Sequence, residues 1–178
     1  MKKTLLLPLL TLLLAVAVLF GLTFGLQGLA SANAQKEHLK MMQTLLPGSE
    51  SFLLEPYTGE DENIRSVHKA ENGYVIEVAT RGYADEIVLL VGVSNEGKVK
   101  GLVVRDIHET HGLGNVALTE VPFLAQYLNT QGEAQVGENV DAITGATVTS
   151  KAITRCVNSA VAYVTGTDTD SGATSWGG

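Results

Sequence analysis

A long apolar stretch near the N-terminus constrains this chain more than any other sequence feature. Residues 5–30 are almost wholly apolar and carry no charged side chain, whereas Lys2 and Lys3 precede them. As an α-helix, this stretch extends about 39 Å, which is enough to cross a hydrocarbon layer about 30 Å thick. The sequence therefore predicts a single transmembrane helix, with the two lysines on the cytoplasmic side and the rest of the chain outside.

The same stretch has a second interpretation, a cleaved signal peptide. Ala32-Asn33-Ala34 has the small side chains of a cleavage site. The apolar core of a signal peptide is usually only about 7–15 residues long, so the length favours a retained anchor. Either interpretation exports the remaining chain. We divide the whole chain into an anchor region (1–34), a domain (35–165) and a flexible tail (166–178) rich in Gly, Ser, Thr and Asp.

Charge and cysteine content exclude several classes of function. After residue 34 the chain has 19 acidic residues and only ten Lys and Arg residues. Such an acidic domain argues against a nucleic-acid partner, because binding phosphates requires a basic surface. The single cysteine, Cys156, excludes an internal disulfide, a cysteine-ligated iron–sulfur cluster and a cysteine-type zinc site. Redox chemistry would therefore need a different cofactor.

Hydrophobic periodicity predicts an α+β domain in which helices flank a twisted, mainly antiparallel sheet. The clearest element is a helix beginning near Val148, whose apolar residues recur at helical spacing through Val164. Cys156 falls on this apolar stripe and is predicted to be buried. The remaining predicted elements are a helix over 35–46 ended by Pro47-Gly48, strands over 73–80, 87–93 and 98–107, and a short helix over 119–129.

The segment leading into the last helix has the composition of an anion-binding site. The first turn of a helix has unpaired N–H groups and a partial positive charge, which together favour a phosphate. Glycine and alanine allow close approach to the backbone, and hydroxyl side chains can donate hydrogen bonds. The residues concerned are Asp141, Thr144, Gly145, Ala146, Thr147, Thr149 and Ser150. An ordinary threonine N-cap explains this composition equally well.

The run Asp141-x-x-Thr144-Gly145-Ala146-Thr147 resembles the flavinylation motif Asp-x-x-Ser/Thr-Gly-Ala-Thr of FMN-binding domains. These domains occur in the G subunit of Rnf-type electron-transport complexes and in the C subunit of sodium-pumping NADH:quinone reductases. The resemblance implies that a flavin transferase attaches FMN from FAD to Thr147 as a phosphoester, making the chain a phosphoprotein. It assigns recognition and positioning to the other four motif residues.

A second segment, residues 108–114, strengthens the resemblance. Its sequence, HETHGLG, is similar to the family's Glu-Thr-Pro-Gly-Leu-Gly loop beside the flavin, with His111 where proline is usual. The likeness implies that five residues approach the flavin: Glu109, Thr110, Gly112, Leu113 and Gly114. The histidines that flank Glu-Thr could instead suggest a metal site, but no third ligand is evident in the sequence. We therefore predict no metal.

The tail repeats the motif as Asp168-x-x-Ser171-Gly172-Ala173-Thr174. Thr174 is thus a possible second flavin acceptor. The alternative is that the repeat is a coincidence or a relic, because no helical or strand pattern follows it.

The function that the resemblance implies is electron transfer by covalent FMN in an ion-translocating ferredoxin:NAD oxidoreductase complex. The chain would be a redox subunit rather than an independent enzyme, so we name no catalytic residue. It would lie in the inner membrane, with its domain on the periplasmic or extracellular side, beside other membrane subunits. Two alternatives are a stand-alone exported flavoprotein that reduces extracellular acceptors and a flavin-binding regulatory module.

Overall fold

The N-terminal helix is the longest element of the fold. The computed structural model describes residues 3–107, 121–131 and 133–167. Two compact units divide the chain, Met1–Lys40 and Met41–Gly178, and helix α1 (Lys3–Leu45) continues from the first into the second. In the described part of the chain, no helix is both long and apolar enough to cross a membrane. Residues 35–45 are helical as expected, but they form the C-terminal part of α1 and not a separate helix, whereas the transmembrane segment stays a prediction.

The second unit is built on one five-stranded antiparallel sheet. Its strands follow one another as a meander, in the order β1-β2-β3-β4-β5. Their bounds are β1 Leu53–Glu55, β2 Ile64–Ala70, β3 Gly73–Arg81, β4 Glu86–Ser94 and β5 Val99–Ile107. The mainly antiparallel sheet is confirmed, and the three predicted strands are β3, β4 and β5.

Strands β1 and β2 were not predicted from the sequence, and a local irregularity explains why. The register of β2 against β3 shifts between Ile64 and Ser66, so the two buried apolar residues of β2, Ile64 and Val67, are three positions apart. A bulge of this kind breaks the alternation that identifies a strand. Strand β1 has only three residues, and two of them, Leu53 and Leu54, are exposed.

Helix α3 (Thr147–Thr165) covers one face of the sheet. Ile153 and Val157 belong to the same buried cluster as Ile76 of β3 and Leu89 of β4. The predicted last helix is therefore confirmed, and so is the burial of Cys156. Burial raises the pKa of this thiol, which keeps it protonated and unreactive.

The short helix α2 (Val121–Ala125) packs into the same cluster through Phe123. We predicted a helix over 119–129, and the observed helix is shorter. The chain continues after Ala125 in tight turns, since Gln126 N–H donates to the Phe123 carbonyl and Tyr127 N–H to that of Leu124. The Gln126 side chain reaches Asp141, in the segment that precedes α3, and the Tyr127 side chain reaches Thr154 within α3.

The C-terminal end of α1 packs on the opposite face of the sheet, where two glycines lie side by side. Gly92 of β4 is the register partner of Gly101 of β5. A Cβ atom on Gly92 would lie 2.2 Å from the Leu45 carbonyl oxygen, and one on Gly101 would lie 2.9 Å from the Leu45 Cα. The paired glycines therefore allow the Leu45 backbone to approach the sheet closely.

Candidate cofactor-attachment site

The start of α3 is open to solvent. The helix begins at Thr147, and the capping position is held by Ala146, with no side-chain capping hydrogen bond from any described residue. The interpretation as a threonine N-cap is therefore wrong. Thr147 is exposed, and the N–H groups of the first turn have no side-chain acceptor in the described structure. An uncapped helix start of this kind favours an anion.

A tight turn leads into the helix, and hydrogen bonds within the turn and from a buried side chain stabilise it. Gly145 has φ 78°, a conformation that glycine adopts without strain, and Ala146 N–H donates to the Ile143 carbonyl over 2.9 Å. The Ser150 hydroxyl donates to the Ala146 carbonyl (2.9 Å) and accepts from Ile143 N–H (3.0 Å). One buried serine therefore connects both ends of the turn.

Exposure divides the polar side chains predicted for this site into two sets. Asp141, Thr144 and Thr147 are exposed, whereas Thr149 and Ser150 are buried, at 1% and 0% relative exposure. The exposed set is accessible to a modifying enzyme. We predicted Ser150 as a cofactor contact, and the structure shows its hydroxyl engaged within the chain, a role that the sequence did not indicate.

Two adjacent residues after α2 make hydrogen bonds to this part of the chain, Gln126 to the motif and Tyr127 to the middle of α3. The Gln126 side chain accepts from Asp141 N–H (2.8 Å) and donates to the Asp141 carbonyl (3.2 Å). The Thr154 hydroxyl uses its only hydrogen on the Ser150 carbonyl, so Tyr127 OH donates to Thr154 Oγ1 over 2.7 Å. Burial raises the Tyr127 pKa, which keeps the phenol neutral and able to donate.

The topology also relates α3 to the start of the predicted flavin loop. At its C-terminal end Tyr163 packs on Tyr74, the second residue of β3, with ring centroids 5.7 Å apart. The first turn of α3 therefore points toward the other end of β3, because the helix packs along β3 and β4. Strand β5 ends there at Ile107, opposite Ile87. The last residue of β5, Ile107, thus lies at the end of the sheet where α3 begins.

Several predicted site residues lie outside the described residues. They are Glu109, Thr110, Gly112, Leu113 and Gly114 of the loop, His108 and His111 beside them, and Thr174 of the tail.

Comparison with known proteins first defines the class of domain. The family model described as "FMN-binding domain" matches residues 82–162. The matched region runs from the turn after β3 to the last part of α3, and it includes the whole of the motif at residues 141–147. The chain therefore contains an FMN-binding domain.

Individual relatives then define the family. The chain is 34% identical over 152 residues to the G subunit of an ion-translocating oxidoreductase complex of Methanosarcina acetivorans, covering 76% of this chain and 78% of that protein. It therefore belongs to the family of G subunits of these complexes. The G subunit of the proton-translocating ferredoxin:NAD(+) oxidoreductase complex of Clostridium ljungdahlii is 37% identical over 99 residues, which cover 52% of this chain and 53% of that protein.

The Clostridium match and a match to the corresponding G subunit of Acetobacterium woodii span only about half of those relatives, 53% and 47%. Among solved structures, the chain is similar to Shewanella oneidensis NqrC, with a TM-score of 0.47 and 18% identity over 70% of this chain and 73% of that chain. This likeness is too distant to carry a functional conclusion.

Proposed function

We propose that this chain is a membrane-anchored electron carrier that holds FMN covalently on Thr147 and serves an ion-translocating ferredoxin:NAD(+) oxidoreductase complex. One observation carries the proposal. An exposed threonine is the first residue of a helix without a side-chain cap, inside an FMN-binding domain.

The residues around Thr147 fit a phosphoester. Gly145 has no side chain and Ala146 has only a methyl group, so a bulky group on Thr147 meets little obstruction from the preceding turn. The first-turn N–H groups of α3 can donate to phosphate oxygens. Lys151 lies one turn further along the helix, where its positive charge can offset phosphate charge.

Attachment requires that an enzyme reach the Thr147 hydroxyl. In the proposed step, Thr147 Oγ forms a bond to the FMN phosphorus of FAD. The pyrophosphate bond of FAD breaks, AMP leaves and the hydroxyl proton passes to a base of the flavin transferase. Asp141 and Thr144 are exposed on the same segment, so the transferase can recognise them together with Thr147.

Bound FMN would supply one- and two-electron chemistry, which lets it connect donors and acceptors of different types. The chain contributes attachment and orientation through the start of α3. We propose that Glu109, Thr110 and the backbone of Gly112, Leu113 and Gly114 lie beside the flavin ring. The chain supplies no acid or base, because electron relay needs none.

The membrane anchor and the partners belong to the same proposal. The uncharged stretch over residues 5–30 supports a single-pass anchor in the inner membrane, and Lys2 and Lys3 support an external domain. Relatives named as subunits of ion-translocating complexes support association with other membrane subunits. Covalent attachment suits an external domain, because a lost cofactor could not be replaced there.

Thr174 is an alternative acceptor by sequence alone. We assign FMN to Thr147 because its motif leads into a packed helix, as the first turn of α3 shows. The same experiment separates the two sites.

The test is co-expression of the full chain with a flavin transferase, followed by denaturing electrophoresis under ultraviolet light and intact mass. We expect a fluorescent band and the mass of FMN less one water. Both should disappear in Thr147→Ala and remain in Thr174→Ala. A colourless wild-type chain without added mass would contradict the proposal, and fluorescence lost only in Thr174→Ala would move the site to the tail.

The complex is tested separately, by affinity purification of the matured chain from membranes. We expect other membrane subunits to co-purify, and the intact mass to include residues 1–34. A flavinylated chain that purifies alone and shuttles electrons to added acceptors would favour the stand-alone exported flavoprotein. Partner binding that changes with flavin redox state, without turnover, would favour the regulatory module.

A further inference from the structure

The Gln126 side chain holds both main-chain polar groups of Asp141. Its Oε1 accepts from Asp141 N–H over 2.8 Å, and its Nε2 donates to the Asp141 carbonyl over 3.2 Å. A second, longer contact of Nε2 with the Phe123 carbonyl (3.4 Å) fixes the orientation of the amide. The side chain therefore imitates a neighbouring β-strand and immobilises the first residue of the motif.

The rest of the motif is held from the other side. Ser150 closes the turn from Ile143 to Ala146, and Tyr127, the neighbour of Gln126, reaches the same helix through Thr154. The segment between Asp141 and Thr147 is thus fixed at both ends. Because the Asp141 and Thr147 side chains are nevertheless exposed, the bonds restrain the backbone and leave both side chains accessible.

We propose that Gln126 is a positioning residue for covalent flavin attachment. It holds the Asp141 main chain so that the Asp141 carboxylate and the Thr147 hydroxyl are presented together to the flavin transferase. This inference rests on the proposed function and adds a residue 15 positions before the motif and outside it. Gln126 does not itself touch the acceptor hydroxyl, so it acts through Asp141.

The test compares two glutamines of the full chain, each changed to methionine, which has a similar length and makes no comparable hydrogen bond. Gln131 is the matched control, because its side chain is exposed and donates to the Glu96 carbonyl (2.6 Å), outside the motif. Each variant is mixed with flavin transferase and FAD, and FMN incorporation is followed by intact mass. We expect Gln126→Met to slow incorporation about tenfold, and Gln131→Met to react at the wild-type rate.

A third variant sharpens the assignment. Gln126→Glu keeps an acceptor for Asp141 N–H and loses the donor to the Asp141 carbonyl. We expect its incorporation rate to lie between those of the wild type and Gln126→Met. Equal rates for Gln126→Met and the wild type, or equal slowing by both methionine variants, would overturn the proposal.

Hydrogen exchange keeps this proposal distinct from the assignment of FMN. In the chain without flavin, we expect the Asp141 amide to exchange about tenfold faster in Gln126→Met than in Gln131→Met. Unchanged exchange would show that Gln126 does not hold the motif, whatever the state of the flavin. If the wild type takes up no FMN, the proposed function fails, and faster exchange would then support only the holding of Asp141 by Gln126.

Discussion

The two ends of helix α3 differ in their capping and in their exposure to solvent. At the C-terminal end, Gly166 adopts a left-handed conformation (φ 68°) and its N–H donates to the Ala162 carbonyl over 2.8 Å. Tyr163 packs there against Tyr57 and Tyr74. At the N-terminal end, Ala146 provides no side-chain cap and Thr147 is exposed.

This difference shows where the chain gives up local stability. A side-chain N-cap typically contributes about 1 kcal/mol to the free energy of unfolding, and an alanine at that position contributes none. The chain nevertheless restrains the segment that leads into this end with hydrogen bonds from Ser150 and Gln126. The backbone at the N-terminal end is therefore held in place, while the N–H groups of the first turn have no side-chain acceptor among the described residues. An added phosphate stabilises such a helix end by accepting from these N–H groups.

The largest expected effect comes from replacing the threonine at each end of α3 with alanine and comparing the two variants. Thr147→Ala removes the acceptor hydroxyl, so we expect complete loss of covalent FMN in the co-expression assay. Thr165→Ala removes a hydroxyl that donates to the Val161 carbonyl at the closed end, and we expect full FMN incorporation. Equal incorporation by both variants would remove the functional distinction between the ends.

A smaller effect is expected from opening the turn before the helix. Ser150→Ala removes the two hydrogen bonds that the Ser150 hydroxyl makes with the turn and leaves Ile143 N–H without its partner. We expect the free energy of unfolding to fall by about 1–3 kcal/mol, measured by urea denaturation, and FMN incorporation to slow.

The control for this variant is Ser159→Ala, which changes another buried serine of the same helix far from the motif. Its FMN incorporation should match the wild type whatever its stability. A Ser150→Ala protein that incorporates FMN at the wild-type rate would show that attachment does not require the hydrogen bonds of the Ser150 hydroxyl to the turn.

The smallest expected effect compares the two glycines with positive φ that flank α3. Gly145→Ala and Gly166→Ala each place a side chain in the left-handed region, at φ 78° and 68°. We expect each to lower the free energy of unfolding by about 1–2 kcal/mol, measured by thermal or urea denaturation. Only Gly145→Ala should slow FMN incorporation. Slowing by both would indicate that general destabilisation, and not the geometry of the motif, controls attachment.

The fold was predictable where one face of an element is regularly buried. Helix α3 has its apolar residues at helical spacing, and β3, Gly73–Arg81, has Tyr74, Ile76 and Val78 at every second position, so both were predicted. Strand β2 was not, because its register shift separates Ile64 and Val67 by three positions. The predicted helix over 119–129 was too long, since the chain leaves helical geometry after Ala125.

The candidate site was predictable only where its residues are close together in the sequence. The motif at residues 141–147 is contiguous, so Thr147 could be singled out from the amino-acid sequence alone. Gln126 could not, because its bonds to Asp141 join residues 15 positions apart that only the folded chain brings together. The internal use of the Ser150 hydroxyl was equally hidden, since a serine in the first turn of a helix resembles a ligand donor.

The most direct test of the attachment site is peptide mapping of the matured wild-type chain by tandem mass spectrometry. We predict that FMN is found on the peptide that contains Thr147, with fragment ions that place the phosphoester on that side chain. Finding that peptide fully unmodified in a protein that carries flavin elsewhere would contradict the assignment of the open end of α3 as the attachment site.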